Sequence, residues 1–461
     1  AVKAALPAGW ALVAYVNYDR IFPYGAKQRG SGSRRKPSTS YLAFTLGPSE
    51  QEPRVIRIGS AEEVEPLIEA WKREVATAPT GLRTAGSGAE ERYRESAQRL
   101  RSVLWDPLAK SLKGAKKVFV VPDGAVNSVS LATLPVGRTG YLAGSGPLIH
   151  YLSSERDFVR EEASTVPSKG VLAVGAPDFD APPSQFALVG SPPSAETGSK
   201  GPSGNGYRSP RAACGTFQSL RFDPLPGAEE EVRELESIWS KTSGSKGGSG
   251  EAVEKLVGAA ASEAAFKKRA PGHRVLHLAT HGFFIQEQCE SDLGNARAKA
   301  REAPGSAQAE LPILGDSPLL LSGLALAGAN RRNEVSLLSG EEDGVLTAEE
   351  VASLDLSGTQ WAVLSACETG VGIVQAGEGV LGIRRAFEVA GAHTLIMSLW
   401  KVEDETSREW MRSLYEARQS GLDTATAVRK ASVDMIRSRS SAGKSAHPFF
   451  WGAFVAAGDW K

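Results

Sequence analysis

The stretch Arg274-Val-Leu-His-Leu-Ala-Thr-His281-Gly282 is an apolar run of strand length that ends at a histidine followed by glycine. A second run of the same kind, Trp361-Ala-Val-Leu-Ser-Ala-Cys367-Glu-Thr-Gly370, ends at a cysteine. Two neighbouring parallel strands of this kind would bring an imidazole and a thiol to the same edge of a sheet. The two runs therefore predict an α/β fold that assembles a nucleophile and its base from distant parts of the chain.

Helix and strand patterns alternate on both sides of these runs, which is typical of α/β proteins. We predict an α/β lobe at residues 1–176, a Pro/Gly/Ser-rich linker or insertion at 177–225 and a second α/β domain at 226–461. The second domain is expected to hold a parallel sheet with helices on both faces. The predicted helices are at 61–76, 90–113 (interrupted by Pro107), 229–239, 252–268, 379–390, 406–418 and 423–438.

Composition excludes several classes of protein. The chain has 461 residues, and 53 Lys and Arg balance 53 Asp and Glu. A zero net charge does not indicate a general nucleic-acid binder or an anionic-membrane binder. No signal-peptide core or membrane-spanning apolar stretch is visible in the sequence. Because the first residue is Ala rather than Met, we expect a fragment of a longer protein.

The three cysteines, Cys214, Cys289 and Cys367, are too few for a disulfide scaffold and favour a reducing, cytoplasmic compartment. Cys367 stands at the end of an apolar strand, just before a turn, and is the candidate nucleophile; the alternative is an inert core cysteine. Cys214 lies in the Pro/Gly/Ser-rich segment and Cys289 in a polar segment. Neither has a strand to position it, so we predict that both are bystanders.

Two other chemistries match short patterns in the sequence. The spacing of His277 and His281 would suit a metal on a helix, but these residues read as strand, and no Glu follows His277. On a strand the two histidines would share a face, so His277 could orient the site, although a structural histidine is favoured. Gly377-Glu-Gly379-Val-Leu-Gly382 fits a dinucleotide pattern but lies too far from the end of its strand. No cofactor or metal is predicted.

Five further stretches carry a family resemblance together with these two runs. In chain order they are Ser317-Pro-Leu-Leu-Leu-Ser-Gly-Leu-Ala-Leu-Ala-Gly-Ala-Asn330, Asp343-Gly-Val-Leu-Thr-Ala-Glu-Glu-Val351, Gly377-Glu-Gly-Val380, Ser398-Leu-Trp-Lys-Val-Glu-Asp404 and His447-Pro-Phe-Phe-Trp-Gly-Ala-Phe454. With them the second half resembles the CHAT family of caspase-like cysteine peptidases, which belong with caspases, separases and gingipains. The N-terminal half also resembles the leading part of CHAT proteins at Leu6-Pro-Ala-Gly-Trp10.

The resemblance implies a caspase-like parallel-sheet sandwich preceded by a pseudo-protease-like lobe. It also implies that His281 is the general base and Cys367 the nucleophile of a peptidase. The backbone N–H groups of Gly282 and Cys367 would form the oxyanion hole. No third catalytic residue is evident, and in these relatives a dyad usually suffices.

In separases the segment resembling Leu399-Trp-Lys-Val-Glu-Asp404 carries an acidic residue that receives the basic side chain before the scissile bond. Asp404 is the best match, with Glu403 beside it, so both are candidate substrate-binding residues for Arg or Lys. The alternative is that Asp404 only caps the helix predicted from Thr406.

The resemblance also indicates partners. CHAT domains commonly follow tetratricopeptide repeats in bacterial proteins, which implies such a region or an adaptor, together with a protein substrate. No direct nucleic-acid partner and no membrane are expected. Two rival functions remain at this point: a catalytically silent CHAT-type interaction module and a metal-dependent hydrolase.

Overall fold

The computed structural model describes residues 2–20, 38–76, 88–158, 167–182, 220–243, 251–284, 322–335, 342–365, 367–368 and 376–460. Cys214, Cys289 and most of the predicted linker lie outside these residues. Among the described helices, none has the length and apolar character needed to cross a bilayer.

The strands follow one another as β1 (Trp10–Arg20), β2 (Ser38–Leu46), β3 (Arg54–Ser60), β4 (Lys117–Val121), β5 (Pro135–Val136), β6 (Gly140–Tyr141), β7 (Leu148–Tyr151), β8 (Val171–Pro177), β9 (Val253–Gly258), β10 (Val275–Ala279), β11 (His281–Phe284), β12 (Ser322–Ala325), β13 (Val345–Thr347), β14 (Trp361–Leu364), β15 (Cys367–Glu368), β16 (Thr394–Ser398) and β17 (Phe454–Gly458). The α-helices are Val2–Ala5, Ala61–Ala76, Gly88–Leu104, Leu142–Ser145, Pro226–Ser243, Glu263–Arg269, Ala348–Ala352, Ala376–Val389, Asp404–Gln419 and Thr424–Ser441.

The chain forms two compact units. One comprises Ala1–Ala163 with Glu409–Lys461, and the other comprises Ser164–Arg408. The predicted lobe, linker and protease-domain boundaries at residues 176 and 225 stay a prediction.

The first unit carries a mixed sheet in the order β3-β2-β1-β4-β7-β17. β1 pairs antiparallel with β2 and parallel with β4, and β7 pairs parallel with β4 and β17. The inner residues of β1 are buried from Ala11 to Tyr15, and the Tyr15 hydroxyl donates to the Leu104 carbonyl at 2.7 Å. This hydrogen bond satisfies the polar end of a buried aromatic side chain and ties the sheet to the helix Gly88–Leu104.

The His447-Pro-Phe-Phe stretch is a buried corner of the first unit. His447 is fully buried, and its Nδ1 accepts from the Phe449 N–H at 3.1 Å. Its ring centroid lies 4.8 Å from that of Tyr93, with the two planes inclined by 65°. Burial first, and then the charge of Arg439 and two further arginines, lowers the pKa of His447 to about 3. This motif histidine is therefore neutral and serves packing in this unit.

The second unit carries a parallel sheet in the order β16-β14-β10-β8-β9. Every residue of β10, β14 and β16 is buried. Strands of a parallel sheet are covered on both faces, which is why they read as continuous apolar runs. The predicted α/β fold with a parallel sheet is confirmed.

The helix predicted at 252–268 is wrong in its first half. Residues Val253–Gly258 form β9, which pairs with β8, and the helix starts only at Glu263. Gly258 has a φ of 58°, a left-handed conformation that ends the strand, and the Ser262 hydroxyl caps the helix by accepting from the Ala265 N–H at 3.3 Å. The sheet edge available to this segment outweighs its helical pattern.

Gly175 of β8 lets the helix Pro226–Ser243 approach the sheet closely. A Cβ atom there would lie 2.6 Å from Val232 Cγ2 and 2.7 Å from the Ala228 carbonyl oxygen. Both distances are shorter than van der Waals contact. The first turns of this helix therefore fit only against a strand that lacks a side chain at this position.

We expect Gly175→Ala to lower the free energy of unfolding by about 1–3 kcal/mol, because the helix must shift to admit a methyl group. Chemical denaturation measures the change. Gly144→Ala, in the helix Leu142–Ser145, is the matched control. A Cβ atom at Gly144 would have no neighbouring atom within 4 Å outside the backbone of its own helix. Equal stability of the two variants would contradict the close approach.

Candidate active site

The two runs that contain His281 and Cys367 each continue from the parallel sheet into a second, smaller sheet. That sheet has the order β13-β12-β11-β15. β10 pairs with β14 in parallel, and β11 then pairs with β15 in parallel, with His281 opposite Cys367 and Gly282 opposite Glu368. Neighbouring paired strands lie ~4.8 Å apart, so the backbones of the two positions are adjacent.

His277 and His281 do not share a strand, so the prediction that they share a face is wrong. The chain leaves the parallel sheet after Ala279, and His281 opens β11 in the smaller sheet. His277 Nε2 lies 3.0 Å from Glu231 Oε1 of the helix Pro226–Ser243, and both residues are buried. His277 therefore joins the sheet to this helix, in agreement with its favoured structural role.

A backbone carbonyl fixes the orientation of His281. His281 Nε2 lies 2.8 Å from the Asp223 carbonyl oxygen. Because a carbonyl only accepts, Nε2 must carry the proton, and in the neutral ring Nδ1 then holds the lone pair. Pro224 follows Asp223 and restricts it to an extended conformation, which limits the directions that this carbonyl can take.

No side-chain type in the sequence indicates this carbonyl. A main-chain acceptor has no residue-type signature, and Asp223 falls within the stretch interpreted as a linker. The only local signal is the proline after it.

Aromatic rings surround the imidazole. The His281 centroid lies 5.3 Å from that of Phe179 and 5.8 Å from that of Phe222, whose plane is inclined by 27°. Phe179, Phe222 and Phe283 belong to one buried apolar cluster. Because water is kept from the ring, its charged form is disfavoured.

The pKa of His281 is lowered, first by burial and further by the positive charge of Lys401. The hydrogen bond to the Asp223 carbonyl and the charges of Asp223 and Asp404 act in the opposite direction. Since the lowering effects dominate, His281 is neutral at neutral pH and can accept a proton at Nδ1.

Asp404 acts on the imidazole electrostatically, as does Lys401. Asp404 is exposed and is the first residue of the helix Asp404–Gln419, two positions before the predicted start. A Cβ at Gly227 would lie 2.6 Å from Asp404 Cβ, so the aspartate packs directly on the helix Pro226–Ser243. A carboxylate in a first helical turn is favoured by the helix dipole, which agrees with the alternative of a local structural role for Asp404.

Glu403 is also exposed, beside Asp404, and its carbonyl accepts from the Ser407 N–H at 2.9 Å. The backbone of Glu403 therefore belongs to the start of this helix. Its carboxylate role in substrate binding stays a prediction.

A group of carboxylates that could hold a metal ion occurs in the described part of the chain, formed by Glu263, Glu342 and Glu350. Lys267 Nζ already lies 2.7, 3.0 and 3.1 Å from one oxygen of each. The ammonium group supplies the cation that these oxygens require. The two histidines of the quoted run do not belong to this group.

The electrostatic balance at His281 is testable by NMR titration of the histidine Cε1 protons. We expect a pKa below the ordinary value of about 6.5. Lys401→Met should raise it by removing a positive charge, and Asp404→Asn should lower it by removing a negative one. Glu403→Gln, the neighbouring exposed carboxylate, is the control and should shift it less than Asp404→Asn. Shifts of opposite sign would refute this account.

Two tetratricopeptide repeat proteins are similar to this chain in sequence. The human tetratricopeptide repeat protein 28 is 23% identical over 294 residues, which is 64% of this chain and 10% of that protein. The mouse protein of the same name is 29% identical over 114 residues, or 25% of this chain and 4% of that protein. The chain thus spans about a tenth or less of the length of these relatives.

Two cysteine peptidases are similar among the solved structures. The Arg specific cysteine proteinase gingipain R matches with a TM-score of 0.39 and 10% identity, over 79% of this chain and 67% of that chain. The Saccharomyces cerevisiae separase in its complex with securin matches with a TM-score of 0.47 and 8% identity, over 99% of this chain and 30% of that chain. Both scores are too low for a shared fold to be concluded from them.

A family match covers most of the sequence. The CHAT domain matches residues 94–459. This span contains β11 and β15 and the strands that precede them, β10 and β14. The match extends over more than half of both compact units, and the chain belongs to the CHAT domain family.

Proposed function

We propose that this chain is a cysteine endopeptidase that cleaves a protein substrate with a Cys367–His281 dyad. The observation that carries the proposal is the pairing of His281 with Cys367 across parallel strands, while a main-chain carbonyl holds the proton of His281 on Nε2. A nucleophile needs a base within reach, and the base needs an orienting group. Membership of the CHAT domain family supports the same assignment.

In the proposed reaction, His281 Nδ1 takes the proton of the Cys367 thiol, and the thiolate attacks the substrate carbonyl carbon. A C–S bond forms, the C–N bond breaks, and the imidazolium returns its proton to the leaving amine. Water, deprotonated by the same nitrogen, then hydrolyses the thioester and restores the thiol. The Asp223 carbonyl keeps its hydrogen bond to Nε2 throughout and favours the transient positive charge.

The oxyanion hole belongs to the same proposal. Backbone N–H groups of Gly282 and Cys367 would stabilise the negative charge that develops on the substrate oxygen. Their positions in directly paired strands support this role, since the two backbones are held at a fixed separation. Such preorganised donors are worth roughly 3–4 kcal/mol each when removed from comparable sites.

We also propose a partner region. A tetratricopeptide-repeat region or adaptor is supported by the names of the human and mouse relatives. A cytoplasmic location and a bacterial origin stay predictions. The rival function, a silent interaction module, would retain the fold without turnover, and the following experiment separates the two.

We expect Cys367→Ala and His281→Ala each to lower peptide cleavage by at least about 1,000-fold, because each removes one half of a cooperating pair. Cleavage of a fluorogenic peptide library measures the rate, and thermal melting verifies that both variants remain folded. A thiol-reactive substrate analogue should label the parent protein at Cys367 and label His281→Ala far more slowly.

Cys214→Ala and Cys289→Ala are the controls for that experiment and should cleave at the parent rate. Full turnover by a folded Cys367→Ala would refute the nucleophile. Loss of activity in either control alone would show that another thiol performs the reaction.

We further propose that Asp404 receives a basic side chain preceding the cleaved bond. Its exposure and its electrostatic effect on His281 support this role, because a substrate-binding carboxylate must be open to solvent near the reacting groups. Packing against Gly227 restrains the aspartate, and a restrained carboxylate can bind a guanidinium in a bidentate manner. Lys401 opposes this preference, so the balance of the two charges decides its strength.

We expect peptides with Arg or Lys before the cleaved bond to be preferred. Asp404→Ala should lower kcat/KM for them by roughly 10- to 100-fold, the loss of one charge-assisted contact. A fluorogenic peptide panel varied at that residue measures the effect, and Glu403→Ala tests the second candidate carboxylate in the same panel. A preference for acidic or apolar residues that Asp404→Ala leaves unchanged would contradict the proposal.

A further inference from the structure

The carbonyl that orients His281 lies at the end of a short segment, Leu220–Asp223, which we call the strap. Leu220 and Phe222 of the strap are buried in the apolar cluster beside the imidazole. Apolar burial holds the strap near His281, but it is not directional. A hydrogen-bonding carbonyl needs a defined direction, so further contacts must fix the peptide planes of the strap.

Asn330 supplies two of these contacts through its side-chain amide. The Phe222 N–H donates to Asn330 Oδ1 at 2.8 Å, and Asn330 Nδ2 donates to the Phe222 carbonyl at 3.0 Å. The amide thereby acts as a neighbouring strand would, by engaging both backbone groups of one residue. The next carbonyl along the chain is that of Asp223, which contacts His281.

Asn330 is itself fixed from a third segment. Its backbone N–H donates to the Phe179 carbonyl at 2.9 Å, and Nδ2 also lies 3.2 Å from Asp180 Oδ1. Phe179 is one of the rings that face His281. A single asparagine therefore joins the strap to the turn that carries this aromatic neighbour of the imidazole.

Arg332 fastens the other end of the strap. Its Nη2 donates to the Leu220 carbonyl at 2.7 Å and its Nη1 to the Ala329 carbonyl at 2.6 Å. The side chain is buried, and burial lowers the pKa of its guanidinium. Burying a guanidinium costs free energy unless its N–H groups donate hydrogen bonds. Arg332 donates to two backbone carbonyls, and these bonds fix the direction of the Leu220 peptide at the start of the strap.

We propose that Asn330 and Arg332 are positioning residues for His281, which hold the strap so that the Asp223 carbonyl keeps the proton on Nε2 and leaves Nδ1 as the base. The inference rests on the proposed function of His281. It also gives a role to Asn330, the last residue of the stretch Ser317–Asn330, which the proposed chemistry does not otherwise use. Neither residue touches the substrate in this proposal; both act through the strap.

The test measures which nitrogen of the His281 imidazole carries the proton. Long-range 1H–15N correlation spectra of histidine-labelled protein distinguish the Nε2–H from the Nδ1–H tautomer, and His281→Gln assigns the signal. The parent should show a single Nε2–H tautomer for His281. In Asn330→Ala we expect a mixture of tautomers, together with a fall in kcat of about 10- to 100-fold at nearly constant KM, as for other small misplacements of a reacting group.

Asn333→Ala is the matched control, because Asn333 is an exposed asparagine of the same short helix, Ala329–Glu334. It should leave both the tautomer and the rate unchanged. If Asn330→Ala does not fold, Asn330→Asp replaces it, since that variant keeps the acceptor for the Phe222 N–H and loses both Nδ2 donations. Arg332→Gln tests the strap from its other end and should change the tautomer in the same direction.

An unchanged Nε2–H tautomer in a folded Asn330→Ala or Asn330→Asp would overturn the inference, even if activity were lost. A parent protein without peptidase activity would refute the proposed function instead. In that case the tautomer comparison still decides whether Asn330 positions His281, so the two failures are distinguishable.

Discussion

Parallel pairing of β10 with β14 is the constraint on which the candidate site depends. These strands lie side by side in the buried sheet of the second unit. Each chain segment then continues into the smaller sheet, where β11 and β15 pair in the same register as β10 and β14. The backbones of His281 and Cys367 are paired only because both segments keep the same relative register through this change of sheet. A shift of one residue in either run would separate the two positions, since side chains alternate along a strand.

The second constraint is electrostatic. Rings from Phe179 and Phe222 keep water from His281, whereas the Asp223 carbonyl accepts the one proton that a neutral imidazole must carry. Burial alone would leave a polar nitrogen without a partner, and hydrogen bonding alone would favour the charged ring. Together they give a neutral imidazole of one tautomer, which is the form that a general base requires.

Sequence patterns predicted the parts of this arrangement that depend on buried side chains. β10 and β14 are recognisable because a strand covered on both faces is apolar throughout. His281 and Cys367 follow these two runs in the sequence, and their backbone pairing agrees with the predicted proximity, while their catalytic roles stay a prediction. The helical pattern at 252–268 misled because a sheet edge, which no local pattern encodes, was open to Val253–Gly258. Asp223 could not be identified as the orienting group, because every residue type offers the same carbonyl.

The dependence of His281 on a main-chain carbonyl affects how position 223 can evolve. The side chain at position 223 can change without removing the acceptor from His281; only the effect of the aspartate charge on the imidazole would be lost. Comparisons of residue identity among relatives would therefore underrate this position, and an alanine scan would leave its hydrogen bond in place. The position of the Asp223 carbonyl depends on the backbone conformation of the strap. Selection can therefore preserve it only through residues that determine this conformation, such as Pro224 and Asn330.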